Sequence, residues 1–511
     1  MVYRRNKKII TKELYPDEIL LDVHNLPSFD RQQFEGQLEK PIGKGSIRVL
    51  FLSIIIIAAI FSIRLFYVQL IQGKEYAIKS EQNSLDSVPL FADRGVIYDR
   101  NGVELVWNVV DEAIGLTKRA YTPAHGFASV VGYVSYPAKD SKGKFWQERT
   151  GGKDGIEKEF DTALAGTNGK KLVESDVSGT IVSEGAIVPP ISGENITLSI
   201  DSRMQEALYG GIKSLAERSG YVGGTGLVMD IKTGELYAMT SYPEYSSQII
   251  SEGKDKATIN GYLQSKSRPL LNRAIDGVYT PGSIVKPFFA LGALQEGVIT
   301  AEKVIYTNGK LEIPNPYNPK LKTVFNDNAN HGPVDMKNAL AVSSNVYFYQ
   351  IGGGFGSQRG LGIANLEKYA RAFGIGEKTG IDIGGEREGN IPSIEWKAKK
   401  FPGDPWRVGD TYNTSIGQYG FQVTPLQMVR AIAGVAARGT LQTPTIRKTT
   451  VAPTGTQVGI RADAYTTVHA GMRMGVLEGT TTALNNAVVH VAAKSGTAQI
   501  KNNTRVNSWA E

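Results

Sequence analysis

The 511-residue sequence predicts an α+β protein with an N-terminal transmembrane helix, an elongated β-rich pedestal and a catalytic domain built as an antiparallel sheet flanked by helices. Three observations carry this. A charge-free run, VLFLSIIIIAAIFSI, occupies Val49–Ile63. Residues 72–195 are rich in turns between short strand-like segments. After that, paired strand patterns alternate with stretches of helical Ala/Leu/Val periodicity, which is the pattern of segregated helices and sheet. The domains expected are a cytoplasmic tail (1–48), the transmembrane helix (49–71), the pedestal (72–195) and the catalytic domain (196–511).

Composition narrows the classes. At 41% apolar and 21% charged residues the chain is an ordinary globular one, not a disordered one. It has no cysteine, which excludes disulfides, zinc-thiolate sites and thiol nucleophiles. The net charge of +7 is mild for this length, and no basic block carries interleaved aromatics, so nucleic acid is not an expected partner. No cofactor or metal is expected.

After Arg64 the apolar run resumes as LFYVQLI, ending at Ile71. A helix over Val49–Ile71 is about 34 Å long, enough to cross a hydrocarbon core of about 30 Å. Arg64 is placed to snorkel to the interface beside Tyr67. No A-x-A cleavage site follows, so the segment reads as an uncleaved anchor. Lys40, Lys44 and Arg48 precede it, with Arg4, Arg5, Lys7 and Lys8 further back. This bias puts the N-terminus in the cytoplasm and residues 72–511 outside, with one helix crossing and in contact with the lipid bilayer.

In the pedestal, Asn101-Gly102 marks a turn within RGVIYDRNG, and GKDGIEKEFDTALAG (Gly152–Gly166) predicts one short helix bounded by glycines. NITLSIDSRMQEAL predicts a strand running into a helix capped at Asp201. Gly224–Pro243 predicts two strands about a Lys232-Thr233-Gly234 turn. Val423–Ala437 predicts a helix, and His490–Ile500 a final strand.

Three motifs carry chemistry: Ser283-Ile-Val-Lys286, Ser343-Ser344-Asn345 and Lys494-Ser495-Gly496-Thr497. Pro281-Gly282 predicts a helix starting at Ser283, with Ser283 and Lys286 sharing a face of its first turn, where free N–H groups are found. A serine needs a base to attack a carbonyl, and a lysine in a dry cationic cluster loses its proton readily enough to serve. Lys494 supplies the second cation, and Gly496 permits close approach to a substrate backbone. Literal copies of these motifs at Ser141–Lys144, Ser251–Lys254, Lys232–Gly234 and Lys378–Gly380 read as loops, turns or structural residues. The chain has five histidines and no G-x-S-x-G elbow, which argues against a Ser-His-Asp hydrolase.

The trio of motifs resembles the penicillin-recognising serine enzymes. NRAIDGVYTPGSIVKP, FGIGEKTGIDIGGEREGNIP, WRVGDTYNTSIGQYGFQVTPLQM and AAKSGTAQ are similar to class B penicillin-binding proteins, nearer the elongation than the septal type. RGVIYDRNG and GIEKEFDTALAG resemble that family's pedestal, which also serves for dimerisation. The resemblance implies a serine D,D-transpeptidase that cross-links peptidoglycan stem peptides ending in D-Ala-D-Ala, with β-lactams as mimics. It implies Ser283 as nucleophile, Lys286 as its base, Ser343 as proton relay and Asn345 holding the donor amide. Lys494 would polarise the network, Ser495 and Thr497 would bind the substrate carboxylate, and the Ser283 and Thr497 N–H groups would form the oxyanion hole. Further implied partners are a SEDS-type glycosyltransferase and scaffold proteins of the elongation complex.

Rival readings are a β-lactam sensor or non-catalytic scaffold, a serine β-lactamase, for which Glu386 and Asn390 have a deacylating E-x-x-x-N spacing, and a bifunctional class A protein, for which residues 72–195 are too short. Glu511 falls fourteen residues after Thr497, where the resemblance implies further strands and a C-terminal helix. The catalytic domain therefore reads as truncated, with an unpaired sheet edge beside Lys494.

Overall fold

The structure, a computed structural model, describes residues 44–75, 85–111, 116–141, 145–175, 181–315, 318–451, 454–500 and 505–511. The tail's basic residues up to Lys40 and most of the Ser141–Lys144 copy lie outside these. The anchor segment belongs to one compact unit; Ser87–Val173 and Ile181–Glu511 form a second.

Helix α1 (Lys44–Phe66) continues as a π-helical turn, Tyr67–Ile71, and the stretch Ile47–Ile71 is long and apolar enough to cross a membrane. Ile54, Ile55, Ile56 and Ile57, spaced around all sides of it, are exposed, so among the described residues nothing buries its apolar surface. Arg64 lies over the Tyr67 ring, 5.7 Å from its centroid.

In the second unit, strands β1 (Ile97–Tyr98), β2 (Glu104–Asp111) and β3 (Leu116–Tyr121) form an antiparallel run. Gly102, at φ 85°, makes the expected turn between β1 and β2. Strand β4 (Ile196–Thr197) closes the sheet by pairing parallel to β1. The Gly152–Gly166 segment is not one helix. It is a strand, Gly151–Asp154, then helix α2 (Gly155–Glu159), a break at Phe160 and a second short helix, Asp161–Ala165. The break has an identifiable cause: the Glu157 carbonyl, which would accept the Asp161 N–H in a continuous helix, accepts from Arg94 Nη2 at 2.6 Å.

Helix α3 (Ser202–Ser219) starts at Asp201, whose carboxylate accepts the Arg203 and Met204 N–H groups. It packs on the antiparallel hairpin of β5 (Gly224–Met229) and β6 (Leu236–Tyr242). Ile97, Val106 and Ile156 of the pedestal share one core with Leu236, Met239, Leu426 and Ile446, so pedestal and catalytic part are joined by continuous burial.

A larger core surrounds α4 (Lys286–Gln295), where every residue from Lys286 to Leu294 is buried. Around it stand the hairpin β7 (Lys310–Asn315)–β8 (Asn318–Asn326), α5 (Met336–Ala341), α6 (Asn345–Gly353), α7 (Val408–Ser415), α8 (Pro425–Ala436) and α9 (Ala462–Leu477). Finally β9 (Ser495–Ile500) pairs antiparallel with β10 (Arg505–Ala510) in a two-stranded sheet. The strand begins later than the expected His490. The chain before it is tied to α9 instead, by Arg473 Nη1 to Val491 O and Ala493 N–H to Met472 O.

Candidate active site

The chain enters the site at Pro281-Gly282. Ser283 lies in a 3₁₀ turn, Gly282–Val285, rather than in an α-helical first turn. The reason is Pro287. An α-helix would bond the Ser283 carbonyl to the N–H of residue 287, which proline lacks, so that carbonyl takes the Lys286 N–H three residues on. Ser283 and Lys286 still occupy one turn, and Lys286 is fully buried.

The second motif lies at the junction of α5 and α6. Ser343 has φ 59°, a left-handed conformation uncommon for a residue with a Cβ. The kink ends α5 and presents the Ser343 hydroxyl to two lysines: Lys286 Nζ is 3.3 Å from Oγ and Lys494 Nζ is 2.8 Å away. Lys286 also donates to Ser343 O at 2.7 Å and to Asn345 Oδ1 at 2.8 Å, with the Phe348 ring 5.3 Å from its Nζ. Ser344 caps α6 through the Tyr347 N–H and donates to Asp327 Oδ2 at 2.6 Å. Asp327 also accepts the Asn345 and Val346 N–H groups, a carboxylate at a helix N-terminus.

The third motif is on β9. Lys494, Gly496 and Ala498 are buried, whereas Ser495 and Thr497 alternate onto the more open face. Ser495 Oγ donates to Thr480 Oγ1 at 2.8 Å. A Cβ on Gly496 would sit 3.0 Å from Pro281 O and 3.2 Å from Ile284 N, so the absence of a side chain lets this strand lie close against the Ser283 turn. Gly282, at φ 62°, is held from the other side by its N–H bond to Gly417 O at 3.0 Å.

Burial and the charge of Lys494 push Lys286 well below the ordinary lysine value, against a smaller upward pull from Asp327. Burial pushes Lys494 down to about 7, opposed by Glu511.

All three motifs thus converge, and the literal copies do not join them. Lys232–Gly234 is the β5–β6 turn, Lys378–Gly380 is a loop, and Ser251 is held by Tyr121 OH and the Val134 N–H. Glu386 accepts the Thr379 and Gly380 N–H groups, and Asn390 donates to Gly420 O, so both are engaged in loop structure. Sequence reading missed Asp327 and Gly417. The polar run FNDNAN hinted at the first, and the quoted SIGQ stretch contains the second.

Such a centre, serine at the head of a buried helix with two lysines converging on a second serine, defines a serine acyl-transfer enzyme built on amines rather than on histidine. Comparison with known proteins names the family. The penicillin binding protein transpeptidase domain matches residues 224–511 and the penicillin-binding protein dimerisation domain residues 112–198. The chain belongs to the penicillin-binding protein transpeptidases. Peptidoglycan D,D-transpeptidase MrdA of Escherichia coli K12 is 28% identical, covering 88% of this chain and 83% of its own length. The FtsI transpeptidase of the same organism is also 28% identical but covers 75% and 57%. PBP2 of Pseudomonas aeruginosa in complex with WCK 5153 aligns with TM-score 0.67 at 29% identity, covering 82% and 88%. PBP2 of Helicobacter pylori in complex with MreC aligns with TM-score 0.67 at 25%, covering 83% and 91%.

Proposed function

We propose that this chain is a membrane-anchored peptidoglycan D,D-transpeptidase of the elongation type, acting through an acyl-enzyme on Ser283. The observation that carries the reading is the Ser343 hydroxyl standing within 3.3 Å of Lys286 Nζ and 2.8 Å of Lys494 Nζ, beside the Ser283 turn. In this reading neutral Lys286 takes the Ser283 proton as Oγ bonds to the carbonyl carbon of the penultimate D-alanine. The tetrahedral oxyanion is held by the Ser283 and Thr497 N–H groups, contacts of a kind worth about 3 kcal/mol each. The C–N bond then breaks, and the leaving D-alanine amine gains a proton relayed through Ser343. Asn345 holds the donor amide, and Ser495 and Thr497 hold the terminal carboxylate. An amine from a second stem peptide resolves the ester, returning the proton to Ser283. β-Lactams would acylate the same oxygen.

The elongation assignment is supported by the fuller coverage of the MrdA relatives than of FtsI. We assign residues 1–48 to the cytoplasm, 49–71 to the inner membrane, and 72–195 and 196–511 to the pedestal and catalytic domain outside it, on the strength of the basic flank before Val49. A scaffold partner is supported by the MreC complex of the Helicobacter pylori relative, and a SEDS-type glycosyltransferase partner by the family resemblance. The test is Ser283→Ala. Intact mass should show one penicilloyl adduct on the wild-type chain, mapped to the Ser283 peptide, and none on the variant while membrane insertion persists. Undiminished labelling of the variant sinks the assignment.

A further inference from the structure

Ser343 is left-handed at φ 59°, and strain of that kind persists only where the surroundings over-determine it. The determining groups come from Asn326, Asp327 and Asn328, at the end of β8 and just beyond it. Asn328 holds the chain before the kink, its Nδ2 donating to Val342 O at 3.0 Å. Asp327 holds the chain after it, accepting the Ser344 hydroxyl at 2.6 Å and the Asn345 and Val346 N–H groups. Asn326 O accepts the Tyr349 hydroxyl at 3.3 Å, a turn further along α6. The grip is itself anchored. The Asp327 N–H donates to Gly309 O at 2.9 Å, and Asn328 Oδ1 is 2.7 Å from His331 Nε2.

Asp327 is the centre of this grip. Its side chain is fully buried, and it accepts three backbone N–H groups, those of Asn328, Asn345 and Val346, and one hydroxyl. Accepting from every partner and donating to none is the pattern of a carboxylate rather than a carboxylic acid. No bond runs from it to a catalytic side chain, yet its effect reaches one. Among the described residues, every hydrogen-bond acceptor of Lys286 Nζ lies on the gripped segment: Ser343 O at 2.7 Å, Ser343 Oγ at 3.3 Å and Asn345 Oδ1 at 2.8 Å. The Asn345 amide is turned that way with its Nδ2 3.5 Å from Asn326 O.

We propose that Asp327 is a positioning residue for the catalytic base: by holding residues 344–346 it keeps Ser343 left-handed, and so keeps in place the three acceptors that orient Lys286 Nζ. The inference rests on the transpeptidase reading. The same carboxylate acts on Lys286 through space. Among the described residues Lys286 feels two charges: Lys494, at the head of β9, lowers its affinity for a proton and Asp327 raises it. Glu511 in turn bears on Lys494, and His331 Nε2 stands 4.0 Å from Asp327. Grip and charge can be separated. Asp327→Asn keeps the shape and one acceptor oxygen but loses the charge, whereas Asp327→Ala loses both.

The test reads acylation of Ser283 by a fluorescent penicillin in the full chain, as a second-order rate constant per labelled site across pH. Labelling stoichiometry and a thermal melt are taken on the same samples. Asp327→Ala should cut the rate constant about 100-fold, the cost of a misplacement of about 1 Å at a reacting group. Asp327→Asn should recover most of that loss and move the acidic limb of the profile further toward acid, because Lys286 then binds its proton less tightly. If Asp327→Ala fails to fold, Ser344→Ala, which takes one hydroxyl out of the grip, should cut the rate constant about tenfold. A merely structural role would lower stoichiometry and Tm, and leave the rate per labelled site and the limb as in wild type. That result overturns the proposal, as does an acidic limb in Asp327→Asn that stays at the wild-type position. Absence of labelling at Ser283 in the wild-type chain overturns the transpeptidase reading instead.

Discussion

Gly417→Ala tests whether the Ser283 turn is held in place by backbone contact. Gly417 has φ 74°, where a Cβ costs about 1 kcal/mol. The added carbon would sit 2.2 Å from Gly282 O and 2.8 Å from Gly282 N, all backbone atoms of the residue before Ser283. Relieving a 2.2 Å contact to ordinary van der Waals distance requires a shift of roughly 1 Å, and a misplacement of that size costs about 100-fold in rate. Strain and repacking together should cost about 2–3 kcal/mol of stability. The assay is acylation of Ser283 by a fluorescent penicillin, with a thermal melt on the same sample. Gly403→Ala is the control. It imposes the same left-handed strain at φ 83° with no atom within 4 Å, so it should lower Tm by a few degrees and leave acylation intact. Gly417→Ala acylating at the wild-type rate would refute the argument, whatever its melting temperature.

Lys286→Ala should slow acylation by orders of magnitude, and Lys286→Arg should not rescue it, because a guanidinium does not release its proton. For wild type, protonating Lys286 removes the base, so acylation should fall as pH falls. Since burial and Lys494 hold this lysine well below its ordinary value, the limb should lie well on the acid side of a free lysine's titration; a limb in the free-lysine range contradicts Lys286 as base. In the pedestal, Glu157 is buried between Arg119, at 2.8 Å, and Arg94. Glu157→Ala leaves buried Arg119 without its carboxylate and Arg94 with Asp161 alone, and should cost about 3 kcal/mol in chemical denaturation. An unchanged denaturation midpoint would show that the pair is solvated.

Much of the fold was legible because its signals are local. The apolar run at Val49–Ile71 needs no partner to be recognised, Asp201 caps its helix through N–H groups two and three residues away, and Gly102 turns the chain by its own conformation. The misreadings came where a distant group took a local hydrogen bond. Arg94 captures the Glu157 carbonyl and breaks a helix that the sequence pattern continues. Arg473 ties down Val491 and delays β9. The exception is Ser283, where the neighbouring Pro287 could have announced the 3₁₀ turn.

The sequence by itself singled out the proposed chemical groups, the serines, lysines and amide of the three motifs, and showed that no thiol competes, because side-chain identity and short spacing are properties of the chain alone. Tertiary structure decided how those groups are charged. Ser343 is caught between Lys286 and Lys494, 57 and 151 residues away along the chain. Burial that disfavours both cations exists only once the elements have packed. Proton affinity depends on desolvation and on neighbours in space, and neither is a function of distance along the sequence.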